Sequence, residues 1–504
     1  MNLSELLAYQ ARKYPEHEAL VTQQARFSYA QWDDSVNAIA NTLSQLGFQS
    51  GDKLMIHMPN VPEFMMLYMA VVRLKGIVIP VNAKLTQPEM QYIIDHSEAT
   101  YFATHELLFD EAKGLADDNS LTWIKTGEAQ DEWMSFAELL EGDPTPVTCD
   151  AMEDDQASIL YTSGTTGNPK GVVFTHRSIL TVATMICIEM PMNKDSRVLH
   201  MMPLSHSAPL HLFMAAGLYV GATHVLAPTF TPDLLLQTVS QEKVTHFFGA
   251  PVAYLMTAKH PDVNQYDLSS MEYWVYGGAP LGANEVRFVQ KAFDTDRLMC
   301  VYGLTEAGPN GTLLLPEEHA EKSGSIGSRA ALNCEIRLVD ENGQDVQRGE
   351  PGEIILRGEG TMQAYYKAPE KTAETLVDGW LYTGDIGMQD EDGYFWVIDR
   401  KKDVIISGGV NVFPTEIEKV IMQHPNVDDV AVIGVPHAEW GETVKAFVVT
   451  KEDDPAIETS LTEFLQAQVA SYKIPKLYQV VEAVPRNATG KLLRQHLREE
   501  VSTS

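Results

Sequence analysis

The stretch Tyr161–His176, YTSGTTGNPKGVVFTH, packs three glycines, four threonines, one serine and one lysine into sixteen residues. The apolar run ASILYT, Ala157–Thr162, leads into it. Strand, then a loop rich in glycine and hydroxyls, then helix is a common way to hold phosphate. Glycines let the backbone approach an anion and aim successive N–H groups at it. Ser163, Thr165 and Thr166 add hydroxyl donors, and Lys170 adds positive charge. A Walker A loop places glycine directly before its lysine and Ser or Thr directly after it. Here Pro169 precedes Lys170 and Gly171 follows it, which disfavours a generic P-loop NTPase.

Working outward, short apolar runs alternate with helical patterns. DKLMIHMPN (Asp52–Asn60) is followed by a helical stretch to Lys75. GIVIPV (Gly76–Val81), helical QPEMQYIIDHS (Gln87–Ser97) and TYFAT (Thr100–Thr104) come next. The pattern returns at THVLAP, THFFGAP and YWVYGGAP (Thr223–Pro228, Thr245–Pro251, Tyr273–Pro280). Such alternation predicts an α/β fold with a largely parallel sheet. Glu141–Asp155, with two prolines and five further acids, reads as a surface connection into the ASILYT strand. From about Gly384 the texture changes. A hairpin turn at Asp392-Gly393 precedes the charge cluster Arg400–Asp403. After it come TEIEKVIMQH (helix), VDDVAVIGVP and VKAFVVT (strands), SLTEFLQAQVA (helix) and LYQVVEAVP (strand). That is an α+β unit of about a hundred residues, a normal domain size, with its boundary near Arg400.

A chain of 504 residues exceeds what one hydrophobic core usually supports. Its 44% apolar and 21% charged content is ordinary for a globular protein. A formal net charge of −32 repels phosphate backbones and anionic lipid, so no nucleic-acid partner is expected. Cys149, Cys187, Cys300 and Cys334 have no CxxC spacing and read as scattered thiols in a reducing compartment. The N-terminus lacks the basic-then-apolar order of a signal peptide. The most apolar early run, Phe64–Val81, is broken by Arg73 and Lys75, whereas a membrane span needs about 18 or more uninterrupted apolar residues. The final VSTS carries no peroxisomal or lipidation signal. A cytoplasmic location without stable membrane insertion is the expectation.

YTSGTTGNPKG resembles the signature of the adenylate-forming superfamily, which includes acyl-CoA synthetases, adenylation domains of peptide synthetases and luciferases. Residue order is similar from end to end, most of all to bacterial fatty-acyl-CoA or aryl-CoA synthetases. The resemblance implies a large N-terminal domain, 1–399, of mixed and parallel sheets layered with helices, which holds ATP and the acid. It implies a small mobile α+β domain, 400–504, with the hinge, the coenzyme A segment and a catalytic lysine. By the resemblance, Thr162, Ser163, Gly164, Thr165, Thr166, Gly167 and Lys170 belong to the ATP site. In YGLTEAG (Tyr302–Gly308), Tyr302 stacks on adenine, Thr305 bonds the α-phosphate, and Glu306 with Thr165 holds Mg2+, a hard ion suited to oxygen ligands. Gly278, Ala279 and Pro280 form the floor under adenine. Asp385, in YTGD, accepts from both ribose hydroxyls, and Arg400 also contacts ribose. Lys402 is the hinge. Ser407, Gly408 and Gly409 pass close to the pantetheine arm, and Lys491, in PRNATGKLLR, is the catalytic lysine. Taken singly, TGD is a plain turn, a charge run a solvated face and a loop lysine a surface residue. Their succession in family order carries the functional reading.

The implied chemistry is coherent. A carboxylate is a poor electrophile, and joining it to AMP supplies a leaving group. Both reactants are anions, so Lys491 and Mg2+ are expected to bridge them. A domain pivot at Lys402 then withdraws Lys491 and brings Gly408–Gly409 to the thiol path. The implied small molecules are a carboxylic acid, ATP and coenzyme A. MPLSHSAPLHLFMAAG (Met202–Gly217) resembles the acyl-pocket segment, with His206 as a gate near the carboxylate. A histidine on an apolar stretch is also often a satisfied core residue. Ala208 and Leu212 stand where phenylpropanoid-specific relatives tend to carry polar residues or tyrosine, which leans toward aliphatic chains. Gly277 and Gly303 are expected to leave room at the pocket wall. No arginine is evident for a second carboxylate. A medium- to long-chain fatty acid is the expected substrate. An aryl-CoA ligase of cinnamate, ferulate or benzoate type, and a stand-alone enzyme loading a carrier protein, are the alternatives. A luciferase-like monooxygenase and a non-catalytic binder on the same scaffold are weaker ones. The short stretch after Lys491 leaves no room for a fused carrier. Oligomeric state is silent, although many relatives form dimers and a homodimer stays open.

Overall fold

The computed structural model describes all residues except 119–120, 163–168, 408–409, 438–440, 467, 487–491 and 504. The expectations for Ser163, Gly164, Thr165, Thr166, Gly167, Gly408, Gly409 and Lys491 lie outside the described residues. The chain divides into two compact units, Met1–Ile336 with Leu356–Leu381, and Arg337–Ile355 with Tyr382–Ser504.

In the first unit, ASILYT falls in the strand Gln156–Thr162 of an eight-stranded sheet. Parallel to it, in spatial order, run Ile77–Pro80, Lys53–His57, Tyr101–Thr104, Thr122–Lys125 and Trp133–Ser135. The alternation read from the sequence thus produces the expected parallel sheet. The helix Gln87–Ser97 shows why. The Glu89 carboxylate accepts from the Thr86 amide and hydroxyl, fixing the first turn, and Glu98 in the left-handed region ends the last. Met90, Ile93, Ile94 and Ser97 form its buried face, and the three apolar ones share a core with Ile77, Ile79, Phe102, Ile159 and Val173. Each such side chain, fully buried, stabilises by about 1.5–3 kcal/mol.

One local expectation is corrected. The glycine-rich loop does not lead into a helix. It joins two antiparallel strands, Gln156–Thr162 and Lys170–Thr175, with Thr162 opposite Lys170. Val172, Val173 and Phe174 suit a pleated, buried strand. The helix starts only at His176, where the Thr175 hydroxyl caps the Ser178 amide. A short strand, Ala364–Tyr365, completes this edge, pairing antiparallel with Val172–Val173.

The second sheet of this unit has nine strands. Its parallel centre runs Leu298–Tyr302, Tyr273–Gly277, His246–Gly249, Arg197–His200, Thr223–Leu226 and Glu18–Val21, with antiparallel strands at both edges. Strands buried on both faces explain the unbroken apolar runs of THVLAP and YWVYGGAP.

The strand Trp380–Gln389, in the second unit from Tyr382 onward, pairs antiparallel with Phe395–Arg400 around a turn where Gly393 takes φ 92°. Beyond the 3-10 turn Lys401–Asp403 lies a sheet ordered Val410–Val412, Ile405–Ser407, Gly441–Thr450 and Val427–His437, with Leu477–Val480 parallel to Gly441–Thr450. Helices Pro414–Ile421 and Ile457–Gln466 bury Ile417, Ile421, Ile457, Leu461 and Leu465 in the core on one side. Helix Arg494–Thr503 places Leu497 in the core on the other, against Ile433, Val435 and Phe447. Among the described residues, no helix is long and apolar enough to cross a membrane.

Candidate active site

Both feet of the glycine-rich loop are tied to the helix Gln87–Ser97. Burial raises the Tyr161 phenol, so it stays protonated. Burial, and then Lys367, lowers the His96 imidazole, so it stays neutral. Tyr161 Oη therefore donates to His96 Nδ1 over 2.7 Å. One turn earlier, Tyr92 Oη donates to the Pro169 carbonyl at 3.3 Å. Thr162 and Lys170 sit between these ties. Lys170 is half-buried, with Nζ 5.3 Å from the centroid of the Tyr365 ring. Burial lowers its ammonium pKa, Lys371 adds to this, and Glu306 and Glu374 oppose it. It forms no ion pair among the described residues.

YGLTEAG leaves the end of Leu298–Tyr302 and folds into the 3-10 turn Thr305–Ala307. Two close backbone approaches bracket this turn. A side-chain carbon at Gly303 would come within 2.2 Å of the Pro309 carbonyl, and one at Gly308 within 2.2 Å of that of Gly360. Gly308 also takes φ 92°, which only glycine adopts without strain. Inside the bracket, the Glu306 carbonyl accepts from the Met362 amide at 2.8 Å, and its carboxylate Oε1 accepts from Tyr365 Oη at 2.7 Å. The Thr305 hydroxyl lies 3.2 Å from that of Ser207. Beside Ser207, His206 Nε2 accepts from Asn82 Nδ2 at 3.3 Å, and burial keeps the imidazole neutral. One continuous line of contacts therefore joins Lys170, Tyr365, Glu306, Thr305 and Ser207, and His206 adjoins it in sequence.

Gly278 and Tyr302 leave the sheet side by side, because Gly277 and Val301 are partners in adjacent parallel strands. The carboxyl ends of parallel strands are where open α/β sheets bind ligands. Gly278, at φ 80°, Ala279 and Pro280 are exposed there. Ala208 and Leu212 lie on the π-helical segment Ala208–Met214, Ala208 half-buried and Leu212 fully buried. Gly277 and Gly303 both face neighbouring backbone. A side-chain carbon at Gly277 would meet the Val301 carbonyl at 2.6 Å, and that at Gly303 meets Pro309. Glycine at both positions permits the close approach of two backbones.

In the second unit, Asp385 and Arg400 are partners across the hairpin. The Asp385 carboxylate is buried and lies 2.7 Å from Arg400 Nε. Lys402 is exposed within its turn, between two anchored acids. Asp399 accepts from the Thr415 amide at 2.8 Å, and Asp403 accepts from Arg498 at 2.9 Å. Ser407 ends the strand Ile405–Ser407.

Glu306 fits a Mg2+ site in part. It is a half-buried hard oxygen donor whose Oε1 is oriented by a hydroxyl, and Mg2+ is commonly held by one or two carboxylates plus phosphate oxygens and water. Tyr365, Ser207 and Asn82 are absent from the sequence reading. They lie 59, 98 and 124 residues from the groups they touch, and no local spacing marks them.

The AMP-binding enzyme family model matches residues 7–366, and the AMP-binding enzyme C-terminal domain model matches 416–491. The chain is 33% identical over 510 aligned positions to long-chain-fatty-acid–CoA ligase FadD13 of Mycobacterium tuberculosis, covering 100% of this chain and 99% of that protein. It is 34% identical to feruloyl-CoA synthase of an Amycolatopsis species, covering 97% and 96%. ATP-bound MatB from Rhodopseudomonas palustris superposes with a TM-score of 0.88 at 30% identity over 99% of each chain. Matched by the two models over most of its length, this chain belongs to the AMP-binding enzyme family.

Proposed function

We propose that this protein is an AMP-forming acid–thiol ligase: it joins a carboxylic acid to AMP with release of pyrophosphate, then passes the acyl group to coenzyme A. The line of contacts through Lys170, Tyr365, Glu306 and Thr305 carries this reading, because it sets a cation, a hard anionic ligand and a hydroxyl donor along one wall. Lys170 offers charge to the departing pyrophosphate, and Thr305 donates to the α-phosphate. Mg2+, when bound, neutralises triphosphate charge; Glu306 and Thr165 are the residues that would hold it. The neutral His206 stands by the acid's carboxylate without adding charge. Tyr302 and Gly278–Pro280 receive adenine, and Asp385 and Arg400 receive ribose. The loop residues Ser163–Gly167 supply phosphate donors.

In the same reading, residues 400–504 move as a domain about Lys402. Lys491 bridges the two anions in the first step and is then withdrawn, and Ser407–Gly409 line the thiol's path. A cytoplasmic location and a homodimer belong to the proposal as well. The acid is a medium- to long-chain fatty acid. Pro209, Leu210, Leu212, Phe213 and Met214 make the segment after His206 buried and apolar, and its polar member, His211, is held neutral. FadD13's name points the same way. An aryl acid is the second reading, favoured by the comparable identity to feruloyl-CoA synthase.

The test is pyrophosphate release with ATP, Mg2+ and coenzyme A across octanoate, palmitate, cinnamate, ferulate and benzoate, with a carrier protein as alternative acceptor. Turnover of the fatty acids is expected. Turnover of cinnamate-type acids alone replaces the acid assignment, and no pyrophosphate with any acid removes the ligase reading.

A further inference from the structure

Lys170 and Glu306 carry opposite charges in one half-buried site, where a direct ion pair is the ordinary outcome. No such pair forms, and Tyr365 stands between them. Its hydroxyl donates to Glu306 Oε1 at 2.7 Å, and Lys170 Nζ sits over its ring at 5.3 Å. We infer that Tyr365 is a positioning residue of the adenylation step: its hydroxyl orients the Glu306 carboxylate toward a divalent cation, while its ring keeps Lys170 apart from that carboxylate and available to phosphate. This role rests on the ligase reading above.

The surroundings over-determine the tyrosine. It is 7% exposed. Its amide donates to Thr372 Oγ1 at 2.9 Å, and its backbone pairs with Val172. Around it, the amides of Gln363 and Tyr366 donate to the Val173 and Gly171 carbonyls, and that of Met362 donates to the Glu306 carbonyl. Residues 362–366 therefore stitch the strand carrying Lys170 to the turn carrying Glu306. A ring face holds a cation by its quadrupole without neutralising it. An outer partner that fixes a carboxylate ligand is worth a large factor in metal affinity.

Three variants separate the two parts of the role. Tyr365→Phe keeps the ring and removes the hydroxyl, Tyr365→Leu removes both, and Glu306→Gln removes the ligand. The readouts are Mn2+ affinity by EPR with a saturating non-hydrolysable ATP analogue, analogue affinity without metal, and the thermal midpoint. Tyr365→Phe is expected to weaken Mn2+ binding about 10-fold, the usual scale for losing an outer partner of a ligand. Its metal-free analogue affinity falls much less than its Mn2+ affinity, and its midpoint falls by no more than the loss of one buried hydrogen bond. Tyr365→Leu also loses metal-free analogue affinity, because Lys170 collapses onto Glu306. In the Glu306→Gln background, Tyr365→Phe adds nothing further.

Wild-type Mn2+ affinity in Tyr365→Phe, or an equal loss in both backgrounds, overturns the inference. If Tyr365→Phe does not fold, Thr372→Val, which frees the Tyr365 backbone and leaves its ring, is expected to weaken Mn2+ binding; unchanged binding there overturns the role too. Wild-type protein that binds neither Mn2+ nor the analogue overturns the ligase reading together with this role.

Discussion

Lowering the pH from 7 to 5 is expected to destabilise the first unit through buried histidines. His224 is fully buried, edge-on to Trp32, with Nδ1 2.9 Å from His200 Nε2, and burial holds its imidazole at about 3 against an ordinary 6.5. His211, edge-on to Phe174, is also held at about 3. His176, whose Nδ1 accepts from the Leu3 amide, and His246, beside the Thr245 hydroxyl, are held at about 4. Each folded value lies below the unfolded one. The stability these neutral rings contribute is therefore complete above about pH 6.5 and is lost as pH falls toward the folded values, because only the unfolded chain takes up the protons. A shift of one unit corresponds to about 1.4 kcal/mol, so at pH 5 each ring costs about 2 kcal/mol and the four together about 8 kcal/mol. That is comparable with the whole stability of a domain, about 5–15 kcal/mol. The assay is the thermal midpoint, followed by tryptophan emission, at pH 7, 6, 5.5 and 5 for wild type and His211→Leu. The midpoint of the wild type should fall steeply below pH 6.5, and the variant should lose about 2 kcal/mol of that dependence. A midpoint flat from pH 7 to 5, or a variant profile parallel to the wild type, refutes the reasoning.

Two further outcomes concern the chemistry. Lys491→Ala should suppress pyrophosphate release far more than coenzyme A thioester formation from a supplied acyl-adenylate, measured separately by single-turnover assays; equal losses would remove the division of labour between the two steps. Gly308→Ala should cost about 1–3 kcal/mol, the usual penalty for a strained backbone position, since its new methyl meets the Gly360 carbonyl and its φ of 92° must persist. It should also slow pyrophosphate release by displacing Glu306. Calorimetry and turnover both unchanged would contradict the bracketed-turn account.

Hydrophobic periodicity made the parallel strands and the helix Gln87–Ser97 legible, because both are specified by residues adjacent in sequence. The reading failed where strand and helix compete over a short segment. GVVFT is apolar enough for either, and only its pairing with Gln156–Thr162 decides for strand. In the site, Thr305, Glu306 and Lys170 were legible from motifs. Tyr365 was not, because its meaning depends on a hydroxyl reaching a turn 59 residues away. Gly277 and Gly303 were recognised as special, but the neighbouring backbone that requires them is invisible until strands are paired.

The hairpin character of the glycine-rich segment bears on how this catalyst can diverge. In a strand-to-helix connection, an inserted residue rotates everything after it by a helical step. Here the two arms pair with Thr162 opposite Lys170, so residues gained or lost between them change only the length of the ring that connects them. Closing a longer ring adds only about 0.6 kcal/mol per doubling of its length. Small insertions and deletions there therefore leave the lysine's address in the sheet undisturbed.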